Sequence, residues 1–180
     1  MGDPQPDDTP ATMLALAAGA GDLDALATFI RITQRDVYRF LSHVGERTEA
    51  EDLTQETYLR ALRALPVFAG RSSARTWLLA IARRVAADQI RRRSTRPRVP
   101  AHRRPGFDEG ILLRELVAGL DADRRDAFVL TQVVGLDYAA AAEVCGCPVG
   151  TIRSRVARAR EDLIHATNAP GTHGRKATGR

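Results

Sequence analysis

The sequence predicts an all-α protein of two small helical domains joined by a flexible linker. Alternation of β-branched and aromatic residues is nearly absent, while Ala, Leu and Arg dominate and apolar residues recur at intervals of three and four. Between two such regions, residues 94–110 contain Pro97, Pro100 and Pro105 and almost no aliphatic side chain, so no helix should cross them. A chain of 180 residues can supply each half with a small core without disulfides.

The domain boundaries follow from these composition changes. We expect a disordered lead at 1–10, a first domain at 11–93, the linker at 94–110, a second domain at 111–166 and a disordered tail at 167–180. The apolar periodicity predicts helices at 11–21, 22–44, 49–65, 74–93, 111–120, 123–134, 138–144 and 148–166. Asp22 is a candidate N-cap for the second of them.

Residues 137–160 have the spacing of a helix-turn-helix. Ala142 is small where two helices would cross closely, Gly146 follows where the turn needs left-handed backbone, and Ile152 follows as an apolar anchor. Asp137 can cap the first helix, and Pro148 suits the first position of the second.

The second helix of this motif has one apolar face and one arginine-rich face. The apolar positions are Val149, Ile152, Val156, Ala159 and Leu163. The outward positions are polar or basic, namely Thr151, Arg153, Ser154, Arg155, Arg158 and Arg160. Such a helix can enter the major groove, where arginine forks bind guanine edges and phosphates. An arginine-rich solvated helix is the alternative.

Residues 49–65 predict a helix with a strongly acidic face, because Glu49, Asp52 and Glu56 recur at three and four. An acidic face in a net basic protein either stays solvated or docks on a basic protein surface. The helix at 74–93 is instead a second basic surface. Its Trp77 is a core anchor or a platform for an unpaired base.

The formal net charge is +5, and every basic residue except Lys176 is arginine, so the composition favours a polyanionic partner or reflects codon bias. Cys145 and Cys147 lie too close for an ordinary disulfide and lack nearby histidines, so structural thiols are favoured over a metal or redox site. The apolar stretch 11–20 lacks the features of a signal or membrane span, and we expect a cytoplasmic protein without cofactors or bound metal.

Three strings, in this order, resemble the extracytoplasmic-function (ECF, group IV) RNA polymerase sigma factors. EDLTQETYLRAL is similar to the family's region 2.2, FAGRSSARTWLLAIARRVAADQIRRR to regions 2.3 and 2.4, and GCPVGTIRSRVARAR to region 4.2. RSSARTWLLAIAR together with VCGCPVGTIRSRVARAR resembles the actinobacterial sigma-C-like branch. Arg84 stands where many members have asparagine, so the family's minus-ten base preference does not carry over.

The resemblance implies three interfaces and favours docking for the acidic helix. The residues implied to bind core polymerase at its β′ clamp are Asp52, Leu53, Gln55, Glu56 and Leu59. Those implied to meet the minus-ten element and help capture a flipped base are Arg71, Ser72, Ser73, Arg75, Thr76, Arg83 and Arg84. Those implied to read the minus-thirty-five element are Thr151, Arg153, Ser154, Arg155 and Arg158. The β flap is a further implied polymerase contact.

The implied function is non-catalytic: the chain directs core polymerase to promoters and helps open them. No Ser/His/Asp set, metal cluster or phosphate-cradling glycine loop is recognisable in the sequence. An ordinary helix-turn-helix repressor or activator, and a protein that sequesters a transcription factor through the acidic helix, remain alternatives. An enzyme acting on nucleic acid is a more distant one. Regulation could come from an anti-sigma factor or from packing of the two domains on each other.

Overall fold

The computed structural model describes residues 8–94 and 109–168. Both ranges are helical with short connections, and neither contains a strand, which confirms the predicted all-α class. The helices of the first range are α1 (Thr9–Gly19), α2 (Leu23–Val44), α3 (Ala50–Ala64) and α4 (Ala74–Ser94). Three-residue 3₁₀ turns, Arg47–Glu49 and Leu65–Val67, flank α3.

Helix α1 begins at Thr9, inside the segment 1–10 that we predicted to be disordered. Pro10 is compatible with this start because the first turn of a helix has no intrahelical use for its amide hydrogen. Residues 1–7 of the predicted lead lie outside the described range, as do residues 95–108 of the predicted linker. At α2, the predicted cap is confirmed, since the Asp22 carboxylate accepts hydrogen bonds from the amides of Asp24 and Ala25.

The second range contains α5 (Glu109–Ala118), α6 (Ala122–Phe128), α7 (Tyr138–Cys145) and α8 (Val149–Asn168). The helix predicted at 123–134 is not a single α-helix, because a π-helical turn, Val129–Val133, replaces its second half. Helix α8 continues to Asn168, two residues into the predicted tail, and the rest of that tail lies outside the described range.

The buried apolar side chains of the two halves form one contiguous cluster. In the first half Phe29, Phe40 and Leu78 are almost fully buried, and in the second half Leu130 and Ile152 are. The halves meet where α4 packs on α7 and α2 packs on the π-helical turn. The two described ranges correspond to the predicted architecture of two small helical domains, and these domains lie against each other.

Candidate functional site

The helix-turn-helix forms as its spacing predicts. The Asp137 carboxylate accepts a hydrogen bond from the Ala140 amide at 2.7 Å and so caps α7. Gly146 ends α7 at φ 64°, ψ 40°, and the Cys147 amide donates to the Ala142 carbonyl across it at 3.1 Å. This is the Schellman arrangement, which a residue with a Cβ disfavours. Helix α8 begins at Val149, one residue after Pro148, and buries Ile152 completely.

The outward face of α8 is open to solvent in the middle of the helix. Arg153, Ser154 and Arg158 are exposed, while Thr151 is half-buried. Arg155 differs, because its guanidinium pairs with Asp123 of α6 and also donates to the Cys147 sulfur at 3.6 Å. Of the five residues that we predicted for the minus-thirty-five element, three are exposed to solvent, whereas the Arg155 side chain is bound to Asp123.

The acidic helix α3 exposes only part of its predicted docking set. Asp52, Gln55 and Leu59 are exposed, and Glu56 is half-buried. Leu53 is 6% exposed and belongs to the core, so little of its side chain is open to polymerase in this arrangement, and its role as a polymerase contact stays a prediction. Its burial follows from helical periodicity, since it lies on the same face of α3 as the buried Thr57.

Basic and amide side chains of both α3 and α4 pair with part of this acidic face. Arg60 donates to Glu56 at 2.7 Å and to Asp88 of α4 at 2.6 Å. Glu49 turns toward α4, where it accepts hydrogen bonds from Gln89 at 3.1 Å and from Arg93. A cleft of about 350 Å³ remains between α3 and α4, and Asp52 lines it. The exposed negative charge that α3 offers to a partner is therefore carried by Glu51 and Asp52.

The predicted minus-ten residues occupy the loop 68–73 and one side of α4. Arg71 and Arg84 are exposed, and Ser72 is half-buried. Ser73 caps α4, because its hydroxyl oxygen accepts a hydrogen bond from the Thr76 amide at 3.1 Å and the hydroxyl donates to Thr76 Oγ1 at 2.9 Å. Thr76 is only 4% exposed and takes part in this cap, and its contact with DNA stays a prediction.

Trp77 packs its ring against Phe68 of the same loop, with 4.8 Å between the ring centroids. The indole is half-buried against the core cluster, in agreement with its interpretation as an anchor.

Two predicted minus-ten arginines lie in the contact between the domains. Arg75 pairs with Asp36 of α2 at 2.7 Å and donates to the Val134 carbonyl, beyond the predicted linker, at 2.7 Å. Arg83 pairs with Asp126 of α6 at 2.7 Å and approaches Asp123 at 3.5 Å. Both guanidiniums are therefore occupied by groups of this chain, and the Arg75 side chain is only 11% exposed.

Burial changes the ionisation of the groups around Arg83. It raises the pKa of the Asp126 carboxyl above its usual value, although the neighbouring Arg83 opposes the shift. It also raises the pKa of the Cys145 thiol to about 12. A thiol that stays protonated is a poor nucleophile and a poor metal ligand, which agrees with a structural role. Both cysteines are free thiols.

Sequence reasoning missed the acidic partners of these arginines. Asp36, Asp123 and Asp126 carry no motif of their own, and the last two lie in a different domain from Arg83. Asp123 also pairs with Arg155, so one carboxylate joins the interdomain contact to the helix that carries the exposed arginines. The spacing of Asp123 and Asp126, three residues apart, indicated only that they share a helix face.

Two family models match the chain, one to each domain. Residues 29–96 match Sigma-70 region 2, and residues 111–163 match Sigma-70, region 4. The ECF RNA polymerase sigma factor SigC of Mycobacterium tuberculosis is 52% identical over 169 residues, which cover 88% of this chain and 91% of the relative. The ECF RNA polymerase sigma-E factor of Escherichia coli is 31% identical over 165 residues, which cover 79% of this chain and 86% of the relative.

Solved structures share the fold. The sigma factor RpoE of Bartonella quintana, in complex with the anti-sigma factor NepR, superposes with a TM-score of 0.69 at 26% identity and covers 81% of this chain and 98% of its own. CnrH, in complex with the cytosolic domain of CnrY, gives a TM-score of 0.74 at 24% identity and covers 90% of this chain and 99% of its own.

A region 2 domain followed by a region 4 helix-turn-helix domain defines a sigma-70-type initiation factor. The chain belongs to the ECF RNA polymerase sigma factors, on the sigma-C-like branch. Sigma factors bind core RNA polymerase and direct promoter-specific initiation of transcription, and they are not enzymes. The predicted family, function and non-catalytic role are thereby confirmed. Within the described ranges, no helix is long and apolar enough to cross a membrane.

Proposed function

We propose that this sigma factor binds core polymerase, the minus-ten element and the minus-thirty-five element through three separate surfaces. The observation that carries the proposal is their separation: exposed acidic and polar side chains, Asp52 and Gln55 among them, lie on the first half of α3, whereas Arg71, Arg84, Arg153 and Arg158 are exposed on the loop before α4, on α4 and on α8. We assign polymerase docking and the minus-ten element to residues 11–93, and the minus-thirty-five element to residues 111–166. Because promoter DNA and polymerase are its targets, we place the protein in the cytoplasm.

Docking on the polymerase β′ clamp centres on Asp52, Gln55, Glu56 and Leu59. An exposed carboxylate at Asp52 and an exposed apolar side chain at Leu59, two turns apart, suit a basic amphipathic partner helix. Arg60 holds the Glu56 carboxylate in place and reduces its net charge, so Asp52 should contribute more to long-range attraction. Leu53 supports the helix from the core.

For the minus-ten element, Arg71 and Ser72 are accessible in the loop, and Arg84 is accessible on α4. Arg75 and Arg83 would join them only after the two domains separate, because both are bonded across the domain contact. Upstream, Arg153, Ser154 and Arg158 project from α8 toward solvent in the position that a major-groove reader requires.

We call the arrangement in which the two domains lie against each other the closed form. It occludes Arg75 and Arg83 of the minus-ten surface and leaves the outward face of α8 exposed, which supports self-occlusion of the minus-ten surface. The bonds of Arg75 to Val134 and of Arg83 to Asp126 would have to break before either arginine met DNA, so polymerase binding should compete with this contact. The Bartonella relative, solved with an anti-sigma factor, supports a protein inhibitor as a second mode of control.

Run-off transcription tests this function. Core polymerase is incubated with a library of candidate promoters, with and without the full chain. Initiation at a defined subset only in the presence of the chain is expected. Initiation that does not depend on the chain, or no initiation on any template, contradicts the proposal. Tight binding of the free chain to a palindromic duplex without polymerase would instead favour an ordinary repressor.

A further inference from the structure

Helix α1 packs against the loop 68–73, although α1 precedes the residues matched by the region 2 model. Gly70 has φ 65°, and a Cβ built there would lie 3.5 Å from a methyl of Leu16 and 3.8 Å from the methyl of Thr12. Leu16 and Thr12 are four residues apart on α1, so one helix face contacts the middle of the loop. At the other end of the loop, Phe68 packs on Trp77.

The hydroxyl of Thr12 also fixes the point at which α4 begins. The Ala74 amide, the first of α4, donates to Thr12 Oγ1 at 3.0 Å, and Thr12 in turn donates to the Asp8 carbonyl at 3.1 Å. Ser73 cannot serve this amide, because an N-cap side chain satisfies the second or third amide of its helix, as it does here at Thr76. A side chain from 62 residues away completes the cap.

We infer that Thr12 is a positioning residue for base capture at the minus-ten element. The inference rests on the proposed function of the loop. The bond to Ala74 sets the direction in which the chain leaves the loop and enters α4, and Leu16 limits the space next to Gly70. Arg71 and Ser72 lie between these two restraints, so their orientation toward an extruded base depends on α1. Thr12 itself does not touch DNA.

The test uses full-length Thr12→Val, which keeps the shape of the side chain but removes the acceptor, and Thr12→Ser, which keeps the acceptor. Thr28→Val is the matched control, since within the described residues the Thr28 hydroxyl accepts a hydrogen bond from Arg31 of the same helix. Holoenzymes are formed on a promoter recovered from the run-off library, and opening is read from permanganate reactivity of unpaired thymines. Core affinity and thermal unfolding are measured for every variant.

Thr12→Val is expected to lower the opened fraction about fivefold, equivalent to one net hydrogen bond, with unchanged core affinity. Thr12→Ser and Thr28→Val should open like wild type. On a premelted template with an abasic site in place of the extruded base, Thr12→Val should match wild type, because there is no base to orient. If Thr12→Val unfolds, Thr12→Ala replaces it.

The inference is overturned if Thr12→Val opens the promoter like wild type, if Thr12→Ser is equally defective, or if the defect persists on the abasic template. Arg71→Ala separates these failures from failure of the loop's proposed function. When Arg71→Ala impairs opening and Thr12→Val does not, only the role of Thr12 is lost. When Arg71→Ala and Ser72→Ala both open normally, the loop does not capture a base, and the proposed function fails with the inference.

Discussion

Arg83 of α4 donates a hydrogen bond to Asp126 of α6 across the contact between the two domains, with 2.7 Å between Nε and Oδ2. Both side chains are largely buried, at 29% and 15% exposed. The same guanidinium approaches Asp123, which is also paired with Arg155 of α8. Arg83, a predicted DNA contact, is thus bound by carboxylates of the other domain.

Asp126→Asn should loosen the closed form. The substitution keeps the shape of the side chain but removes the charge opposite Arg83, and a hydrogen bond to a charged group is worth about 2 kcal/mol. Small-angle scattering of the free chain should show a larger radius of gyration. Asp162→Asn is the control, because its partner Arg124 lies in the same domain at 2.7 Å. An unchanged radius for Asp126→Asn would mean that this pair does not hold the domains together.

Charge reversal at Asp52 and Glu56 should disrupt polymerase docking. Arginines at both positions would repel a basic partner surface, and we expect core affinity to fall at least tenfold, the equivalent of about 1.4 kcal/mol. The measurement is a titration of labelled chain with core enzyme. Asp24→Arg, an exposed charge reversal in the first turn of α2, is the control. Normal core affinity in the double variant would place the docking surface elsewhere.

Arg153→Ala should weaken recognition of the minus-thirty-five element. A guanidinium fork on a guanine edge contributes about 1–3 kcal/mol of discrimination, so the loss should appear on the cognate sequence and not on a scrambled one. Competition binding of the holoenzyme to the two duplexes measures the difference. Arg160→Ala provides the comparison, because Arg160 donates to Gln132. Equal losses on both sequences would make Arg153 a phosphate contact.

Alanine substitution at two glycines of the helix-turn-helix should change the free energy of unfolding in opposite directions. Gly146→Ala should destabilise the chain by about 1 kcal/mol, because φ 64° is left-handed although no atom lies within 4 Å of the added Cβ. Gly150→Ala, in α8 and equally unobstructed, should stabilise it by about 0.5 kcal/mol through helix propensity. Urea unfolding monitored by circular dichroism compares the two. A stabilising Gly146→Ala would contradict the left-handed turn.

Cys145 should resist alkylation in the folded chain. Only the thiolate reacts, and burial raises the pKa of this thiol to about 12, so little thiolate forms near pH 8. In a Cys147→Ser background, where Cys145 is the only thiol, iodoacetamide should react slowly in buffer and quickly in urea. Equal rates in the two conditions would show that Cys145 is accessible.

The amino-acid sequence by itself determined most of the helices, the helix-turn-helix and the family. These features depend on local physics: apolar periodicity defines Ile152 and Val156 as buried, Asp22 and Asp137 satisfy amides two or three residues away, and Gly146 permits a left-handed turn. Motif strings of ten or more residues then sufficed to indicate the family.

Only the tertiary structure decided which of the predicted contact residues are accessible. Leu53 belongs to the core, and Thr76 belongs to the cap of α4. Arg75 and Arg83 are bonded to groups far away in the chain. The same holds for Thr12, which serves an amide 62 residues later. Such pairings depend on how helices pack, and periodicity within one helix carries no information about which side chain of another helix will lie opposite.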